Sequence, residues 1–217
     1  MKLDILAIAA HPDDIELSCA GTLMLHAAQG MKAGIVDLTE GALGSRGTAE
    51  TRIAEAKEAL EIMGLSVRDN AGLPDGFFRN DKEHQLKVVQ FIRRYQPEII
   101  LTNATEDRHP DHGRAAKLVA DACFLSGLIK IQTRWNGQPH PAWRPKQVLH
   151  FIQDRYIDPD IIIDITPVMD KKIEAIKAFK SQFLADKKEK VQTYISTPDF
   201  FDSVIYRSKM IGKMIGV

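Results

Sequence analysis

Short apolar runs alternate along the chain with segments in which apolar residues recur every three or four positions. The apolar runs have the length of buried strands, and the segments between them have the spacing of amphipathic helices. The predicted strands are Leu3 to Ala10, Lys32 to Thr39, Ser66 to Gly72, Glu98 to Asn103, Lys146 to Gln153 and Asp160 to Thr166. Strands that alternate with helices predict an α/β protein with a mostly parallel sheet flanked by helices.

Helices are predicted between these strands and after the last of them. They are Ile15 to Gly30, Thr48 to Met63, Lys82 to Tyr95, Arg114 to Leu125, Pro167 to Phe183 and Asp199 to Ile215. Right-handed crossovers favour a doubly wound strand order such as 3-2-1-4-5. No internal repeat, low-complexity tract or linker interrupts the pattern, so we expect a single domain over residues 1–217.

Two connections rich in His and Asp follow the first and the fourth predicted strands. The first is His11-Pro12-Asp13-Asp14, and the second is Asp107-Arg108-His109-Pro110-Asp111-His112-Gly113. Three of the seven histidines of the chain lie in these two connections. Because the first and fourth strands are neighbours in the predicted order, both connections reach one crevice at the carboxyl edge of the sheet, where open α/β sheets bind ligands.

The residue types in this crevice favour a catalytic metal. His11, Asp14 and His112 offer two imidazoles and one carboxylate, which suits a zinc ion that keeps an open position for water. A single motif of this kind is more often structural, and the second motif at the same edge is what favours a metal site. A His2Asp set also accepts iron or cobalt, so we expect Zn2+, with Fe2+ and Co2+ as alternatives.

Asp13, His109 and Asp111 are the candidate catalytic groups. Asp13 is adjacent to a proposed ligand and can act as the general base that accepts a proton from the metal-activated water. The alternative role for Asp13 is the N-cap of the first helix. A protonated His109 would stabilise an oxyanion and then protonate a leaving amine, and Asp111 would orient the His109 ring.

Three arginines are candidate ligands for an anionic group on the substrate, because a guanidinium binds a carboxylate through two parallel hydrogen bonds. Arg46 lies in a glycine-rich loop that is expected over the active-site edge, and Arg52 lies on the helix that follows. The alternative for Arg52 is a solvent-exposed helix face. Arg108 is the third candidate, and its alternative is a surface pair with Asp107.

The composition excludes several classes of function. Lys plus Arg and Asp plus Glu each number 29, so the formal net charge is zero and nucleic acid is a poor candidate partner. No apolar run approaches the ~18 residues of a membrane span, and no secretory signal pattern precedes the first strand, so we expect no membrane partner and a location in the cytoplasm.

Cys19 and Cys123 are expected to be buried free thiols. Residues 130–145 are irregular and are expected to form a lid or an oligomer contact.

The two motifs resemble the signatures of the PIG-L, or LmbE-like, superfamily of zinc-dependent N-acetylglucosaminyl deacetylases. Three further segments are similar to the bacillithiol-biosynthesis branch of that superfamily: Ser45 to Arg52, Lys180 to Phe183 and Tyr206 to Gly212. The resemblance implies a Rossmann-like fold and zinc held by His11, Asp14 and His112. It also implies Asp13 as the base and His109 as the acid or electrophilic residue.

The substrate implied by the resemblance is N-acetylglucosaminyl L-malate, which would be cleaved to acetate and glucosaminyl malate. Arginines near the loop would bind the malate carboxylates, Tyr194 would approach the oxyanion, and the protein would form a homo-oligomer, often a hexamer in this family. The alternative substrates are another N-acetylglucosamine conjugate or a chitooligosaccharide. From a different class, a nucleotide-binding module is disfavoured because the loop Glu40 to Gly47 lacks the spacings of phosphate-binding loops.

Overall fold

Five parallel strands form the central sheet of the computed structural model, which describes residues 1–183 and 191–217. The strands in chain order are β1 (Ile5–Ala9), β2 (Ala33–Asp37), β3 (Arg68–Asn70), β4 (Ile99–Thr102), β5 (Arg134–Trp135), β6 (Gln138–Pro139) and β7 (Gln147–His150). The sheet order is β3-β2-β1-β4-β7, and β5 and β6 form a separate antiparallel pair. The predicted doubly wound order is confirmed, with β7 as its fifth strand.

Helices cover both faces of the sheet. They are α1 (Asp14–Leu17), α2 (Ala20–Ala28), α3 (Ala49–Met63), α4 (Lys82–Tyr95), α5 (Pro110–Ser126), α6 (Met169–Ala178), α7 (Lys180–Phe183) and α8 (Pro198–Lys213), with 3-10 turns at Thr166–Val168 and Tyr194–Ser196. α4 packs against α5, and α3 packs against α6. Thr48 caps α3 by accepting a hydrogen bond from the Thr51 N–H, and Gly64 ends this helix in the left-handed conformation.

β1 lies between two layers of the hydrophobic core. Leu6 and Ile8 pack with the buried side chains of α4 and α5. Ile5, Ala7 and Ala9 pack with those of α2. Successive side chains of a strand point to opposite faces, and all five residues are buried, so β1 is fixed from both sides. The residues that follow β1 therefore start from a rigid position at the edge of the sheet.

Two predicted helices are each divided in the structure. The helix predicted from Ile15 to Gly30 is broken at Ser18, whose hydroxyl donates to the Asp14 carbonyl at 2.5 Å. Such side-chain bonds compete with the helical backbone and favour a helix end. The helix predicted from Pro167 to Phe183 begins as a 3-10 turn and is interrupted at Phe179, where ψ is 63°.

The predicted strand from Asp160 to Thr166 is wrong, because no strand of the described residues lies in this range. Ile161 and Ile163 are 61% and 36% exposed. Ile165 packs directly on α2, where a Cβ at Gly21 would lie only 2.7 Å from the Ile165 Cδ1 atom. A short apolar run that packs on a neighbouring helix can have the same sequence pattern as a strand. Periodicity alone therefore cannot tell such a run from a strand.

Residues 130–145 contain the β5–β6 hairpin and are anchored to the core. The Arg93 side chain, 1% exposed, donates to the Ile131 carbonyl at 2.6 Å. The Trp143 indole N–H donates to the Pro97 carbonyl at 2.7 Å. These bonds hold the stretch against α4 and its C-terminal connection.

Two further expectations concern the whole chain. Within the two described ranges, no helix combines the length and the apolar character that crossing a membrane requires. Cys19 and Cys123 are both buried and both free, as predicted.

Candidate metal centre and active site

The two predicted motifs meet at the carboxyl edge of the sheet. The buried polar residues that enter the site after β1, β4 and β7 are His11, Asp13, Asp14, Asn103 and Gln153. His109 and His112 come from the beginning of α5. The ring centroids of His11 and His112 lie 5.7 Å apart, so the crevice predicted from the strand order is present.

The imidazole of His11 is surrounded by carboxylates. Its Nε2 atom lies 3.2 Å from both Asp111 Oδ2 and Asp75 Oδ1. Its Nδ1 atom lies 3.6 Å from Asp14 Oδ2. Burial alone would lower the pKa of His11, but hydrogen bonds to the three carboxylates hold this pKa well above its usual value.

The imidazole of His112 has the same kind of surroundings. Its Nδ1 atom lies 2.7 Å from Asp107 Oδ2, and its Nε2 atom lies 3.1 Å from Asp14 Oδ1. Burial opposes protonation, but Asp14 and Asp107 raise the pKa of His112 to about 9. The Asp107 side chain is only 1% exposed, so the alternative of a surface pair between Asp107 and Arg108 is wrong.

Asp14 is held in place by three hydrogen bonds in addition to its contacts with these imidazoles. Its Oδ2 atom accepts from the His11 N–H at 3.0 Å and from Asn103 Nδ2 at 3.1 Å. Its Oδ1 atom accepts from Gln153 Nε2 at 2.6 Å. Burial would raise the pKa of Asp14, but the adjacent His112 and His11 hold it well below its usual range. The carboxylate is therefore ionised and fixed in orientation.

The donor set fits a divalent cation. In each of His11 and His112, one ring nitrogen is bonded to a carboxylate and the other faces Asp14, which is how proteins orient metal-ligating histidines. Among the described residues, candidate ligand atoms come within 4.8 Å of one another in two groups, neither of which contains Asp14: His11 with His109 and His112, and His11 with Asp75 and Asp111. The structure thus brings the three predicted ligands together, and their binding of a metal stays a prediction.

Asp13 has a left-handed backbone, with φ of 114°, and its side chain makes no capping hydrogen bond. Asp13 therefore occupies the N-cap position of α1, which was its alternative role, but it does not cap this helix through its side chain. Its Oδ2 atom accepts a hydrogen bond from Arg52 Nη2 at 2.8 Å, and the same Arg52 nitrogen also donates to the Pro12 carbonyl. Burial raises the pKa of Asp13 to about 7, and the Arg52 charge works in the opposite direction.

This ion pair gives Arg52 a role that the sequence did not predict. Its guanidinium is buried against Asp13 and Pro12, and a Cβ at Gly41 would lie 2.6 Å from Arg52 Nη1. Arg52 is thus not on a solvent-exposed helix face. Its Nη2 atom holds Asp13 in position, and Arg52 also lines the pocket, so its binding of an anionic group of a substrate stays a prediction.

His109 lines the same pocket as Asp13 and caps α5, because its Nδ1 atom accepts a hydrogen bond from the Asp111 N–H at 3.2 Å. Burial and the neighbouring His11 lower the pKa of His109. The Asp111 carboxylate, however, contacts His11 Nε2 and Arg114 Nη1. The prediction that Asp111 orients His109 is replaced by a role of Asp111 in orienting His11.

A pocket of about 360 Å³ opens above these residues. Arg108 and Tyr194 line it, and their binding of a substrate stays a prediction. Arg108 Nε donates to Asp154 Oδ2 at 2.7 Å, and the Tyr194 hydroxyl donates to Asp154 Oδ1 at 3.3 Å. The Arg108 guanidinium also lies 4.6 Å from the centroid of the Tyr194 ring. These three side chains form one connected wall.

Two expectations about the surroundings of the pocket are not met. Arg46 is 5% exposed and is not among the described residues that line the pocket. Its Nη1 atom donates a hydrogen bond to the Gln182 carbonyl at 3.5 Å. Gln182 Nε2 in turn donates to the Arg46 carbonyl at 2.9 Å. In the part of the chain that the structure describes, no residue of 130–145 lines the pocket either, so this stretch is not a lid over it.

Sequence reasoning missed several residues of the site. Asp75 lies in the Leu73-Pro74-Asp75-Gly76 segment, outside both motifs, and Asn103 and Gln153 follow strands without any motif. Their signal is position alone, since a polar residue directly after a buried parallel strand reaches the ligand-binding edge.

Comparisons with known proteins identify several similar chains. The chain is 26% identical to a diacetylchitobiose deacetylase of Thermococcus kodakarensis, over 96% of this chain and 79% of the relative. It is 29% identical to a 4-oxalmesaconate hydratase of Pseudomonas putida, over 82% and 73%. It is 25% identical to a probable N-acetyl-alpha-D-glucosaminyl L-malate deacetylase 2 of Bacillus cereus, over 84% of each chain.

The solved structures include a conserved protein from Thermus thermophilus that superposes with a TM-score of 0.87 at 34% identity, covering 99% of this chain and 90% of that one. The PIG-L family model, described as GlcNAc-PI de-N-acetylase, matches residues 6–123. This range is more than half of the chain and includes both motifs of the site, and so the chain belongs to the PIG-L family.

Proposed function

We propose that the protein is a metal-dependent deacetylase that removes the acetyl group from an N-acetylglucosamine conjugate. The observation that carries this proposal is the arrangement of His11 and His112 on either side of Asp14, each with its second nitrogen held by a carboxylate. Asp13 and His109 line the pocket beside this set and supply the groups that amide hydrolysis needs. The family description and the two deacetylase relatives support the same activity.

A divalent cation bound by His11, Asp14 and His112 would polarise the acetamide carbonyl and lower the pKa of a bound water to about 7. Asp13 accepts the proton of the attacking water, and Arg52 keeps the Asp13 carboxylate in place for that transfer. His109, when protonated, stabilises the negative charge that develops on the carbonyl oxygen and then donates a proton to the leaving amine.

The metal that we propose is zinc. Two imidazoles and one carboxylate are a common catalytic zinc set, and Fe2+ and Co2+ suit the same ligands. The His112 ring is already fixed by Asp107, and the His11 ring by Asp111 and Asp75. The ligands therefore need little rearrangement to bind an ion. Metal content measured on protein purified without added metal would identify the native ion.

The finer proposal is that the substrate is N-acetylglucosaminyl L-malate, the substrate of a step in bacillithiol biosynthesis. A relative named for this activity covers 84% of the chain, and the pocket wall carries guanidinium groups suited to malate carboxylates. The alternative is another N-acetylglucosamine conjugate or a chitooligosaccharide, which the diacetylchitobiose deacetylase relative favours.

The test is release of free amine from N-acetylglucosaminyl malate, with N-acetylglucosamine and diacetylchitobiose measured in parallel. The protein is assayed as purified, after chelation, and after zinc is restored. We expect release from the malate conjugate that chelation abolishes and zinc recovers. Equal activity on diacetylchitobiose would favour the alternative substrate, and activity that chelation leaves unchanged would refute the metal-dependent mechanism.

Two other activities are checked on the same protein. The hydratase relative makes hydration of 4-oxalmesaconate a competing activity, and loss of the substrate's ultraviolet absorbance measures it. A nucleotide-binding module is the other alternative. A thermal shift with nucleotides but not with zinc would support it.

We further propose that the protein forms a homo-oligomer, with a hexamer as the expected size. Several large apolar side chains are exposed on the described surface, among them Ile129 at 87% and Ile161 at 61%. Light scattering on the purified protein measures the assembly directly. The predicted location in the cytoplasm stays a prediction.

A further inference from the structure

α8 brings the guanidinium of Arg207, a residue that belongs to neither motif, into the pocket. Arg207 is partly buried and lines the pocket together with Tyr194 and Phe200. This wall lies beside Asp154, on the side of the pocket formed by the C-terminal part of the chain. Arg207 is also not among the proposed metal ligands.

Arg207 differs from the other two arginines that line the pocket. Arg52 is paired with Asp13, and Arg108 is paired with Asp154. Within residues 1–183 and 191–217, no hydrogen bond or ion pair is formed by the Arg207 side chain. Burial lowers the pKa of Arg207, and the charges of Asp154 and Asp107 compensate only in part.

The nearby acidic groups already have partners of their own. Asp154 accepts hydrogen bonds from Arg108 and Tyr194. Asp107 is bonded to His112 Nδ1 and to the Arg155 N–H. An unpaired cation that has lost part of its hydration is costly, so an anion that enters the pocket at this position gains a favourable interaction.

We propose that Arg207 binds a carboxylate or phosphate group on the aglycone of the substrate and selects anionic N-acetylglucosamine conjugates over neutral ones. The proposal rests on the proposed deacetylase function. It moves the predicted anion-binding role from Arg46 and Arg52 to a residue of α8. Arg207 does not touch the scissile amide in this proposal, so its loss changes substrate binding more than the rate of the chemical step.

The first experiment compares the wild-type holoenzyme with Arg207→Gln and Arg207→Lys. The substrates are N-acetylglucosaminyl malate, a phosphodiester of N-acetylglucosamine, and neutral diacetylchitobiose. For the preferred anionic substrate, Arg207→Gln is expected to raise KM by about 10-fold or more with little change in kcat, because a charge-assisted hydrogen bond is lost. Arg207→Lys keeps the charge and is expected to recover part of the loss.

The neutral substrate and a neighbouring variant serve as controls. We expect kcat/KM for diacetylchitobiose to change less than about 2-fold in Arg207→Gln, since a neutral ligand offers the guanidinium no anionic group to bind. Lys209→Gln removes an exposed charge from the same helix and is expected to match the wild type on all substrates. Whichever anionic substrate responds to Arg207→Gln identifies carboxylate or phosphate as the bound group.

The second experiment does not depend on turnover. L-Malate and inorganic phosphate are titrated calorimetrically into the wild-type protein and Arg207→Gln, with circular dichroism confirming that both are folded. Weaker binding of one anion by the variant supports the proposal. It is overturned if the folded variant binds both anions as tightly as the wild type, if the wild type binds neither, or if anionic and neutral substrates lose activity equally. Absence of any hydrolysis with intact anion binding would instead refute the deacetylase function alone.

Discussion

Arg52 Nη2 lies 2.8 Å from the Asp13 carboxylate, although 39 residues separate the two in sequence. The pair connects the first residue of α3's buried face to the connection after β1, and it explains why an arginine is buried next to the candidate metal centre. The interaction makes Arg52 a positioning residue for the candidate base. The two possible roles of Arg52, binding the substrate and positioning Asp13, predict different kinetic effects when Arg52 is substituted.

We predict that Arg52→Gln lowers kcat by about 10- to 100-fold and changes KM little, since loss of a group that orients a catalytic side chain has costs of this size. Metal content should stay at the wild-type level. Steady-state kinetics on metal-loaded protein measures both constants. Lys57→Gln, on the exposed face of the same helix, is the control. A large rise in KM with unchanged kcat would restore the substrate-binding role of Arg52.

Asp13 and His112 are expected to respond differently to removal of their side chains. Asp13→Ala should retain the metal and lower kcat by about 100-fold or more, because general-base catalysis contributes at least that much. His112→Ala should lose both metal and turnover, because it removes a proposed ligand. Metal analysis after gel filtration and amine release are the two measurements. An Asp13→Ala enzyme with a near-normal rate would remove the assignment of the base.

Asp107 is expected to control metal affinity through His112. Its Oδ2 atom is 2.7 Å from His112 Nδ1, and the side chain is buried. Asp107→Ala should weaken metal binding by about 10- to 100-fold, the usual cost of losing a carboxylate that orients a ligand. Competition with a chromogenic chelator measures the affinity. The neighbouring Glu106 is 81% exposed at its side chain, so Glu106→Gln should leave the affinity unchanged.

The strand order and the convergence of the two motifs could be predicted because both depend on local patterns. A buried apolar run indicates a strand, and right-handed crossovers leave few orders for five strands. The strand order alone then places the two His- and Asp-rich connections at one crevice, so no knowledge of side-chain contacts is needed to predict that they meet.

The partners of the charged residues could not be predicted in the same way. Asp111 bonds to His11, 100 residues earlier, rather than to the nearby His109. Arg52 and Arg46 have similar sequence surroundings, yet one is paired with Asp13 in the pocket and the other is buried beside Gln182. Long side chains reach across several residues, so the packing of whole elements decides which charges meet.

A buried ion-pair network joins β2, β3 and α1. Arg68 Nε lies 2.7 Å from Asp37 Oδ2, and Arg68 Nη1 lies 2.6 Å from Glu16 Oε1. Arg68→Met should lower the free energy of unfolding by about 3 to 5 kcal/mol, because it leaves two buried carboxylates without their cation. Urea denaturation measures the loss, and the exposed Arg79→Met is the control. An equally stable Arg68→Met protein would show that the network contributes no net stability.

Lys172 is predicted to make the free energy of unfolding depend on pH in the alkaline range. The side chain lies on α6, is 3% exposed and donates to the Ser18 carbonyl at 2.6 Å. Burial lowers the pKa of Lys172 to about 8, the Arg207 charge adds to this decrease, and Cys19 and Glu16 oppose it.

In the unfolded chain a lysine has a pKa of about 10.4. Between pH 8 and that value the unfolded state binds more protons than the folded state, so the contribution of Lys172 to stability rises with pH across this window. Below pH 8 the cost of the buried charge is present in full, and it amounts to roughly 3 kcal/mol for a pKa decrease of this size.

Lys172→Met removes this cost together with the hydrogen bond to the Ser18 carbonyl, which is worth about 1 kcal/mol and does not depend on pH in this range. The variant should therefore be most stable relative to the wild type at pH 7, and the difference should decrease steadily as the pH rises to 10. Urea denaturation at each pH measures it, with the exposed Lys171→Met as the control. A difference that stays constant from pH 7 to pH 10 would show that Lys172 titrates alike in the folded and unfolded states, because a group with equal pKa values in both states adds no pH dependence to folding.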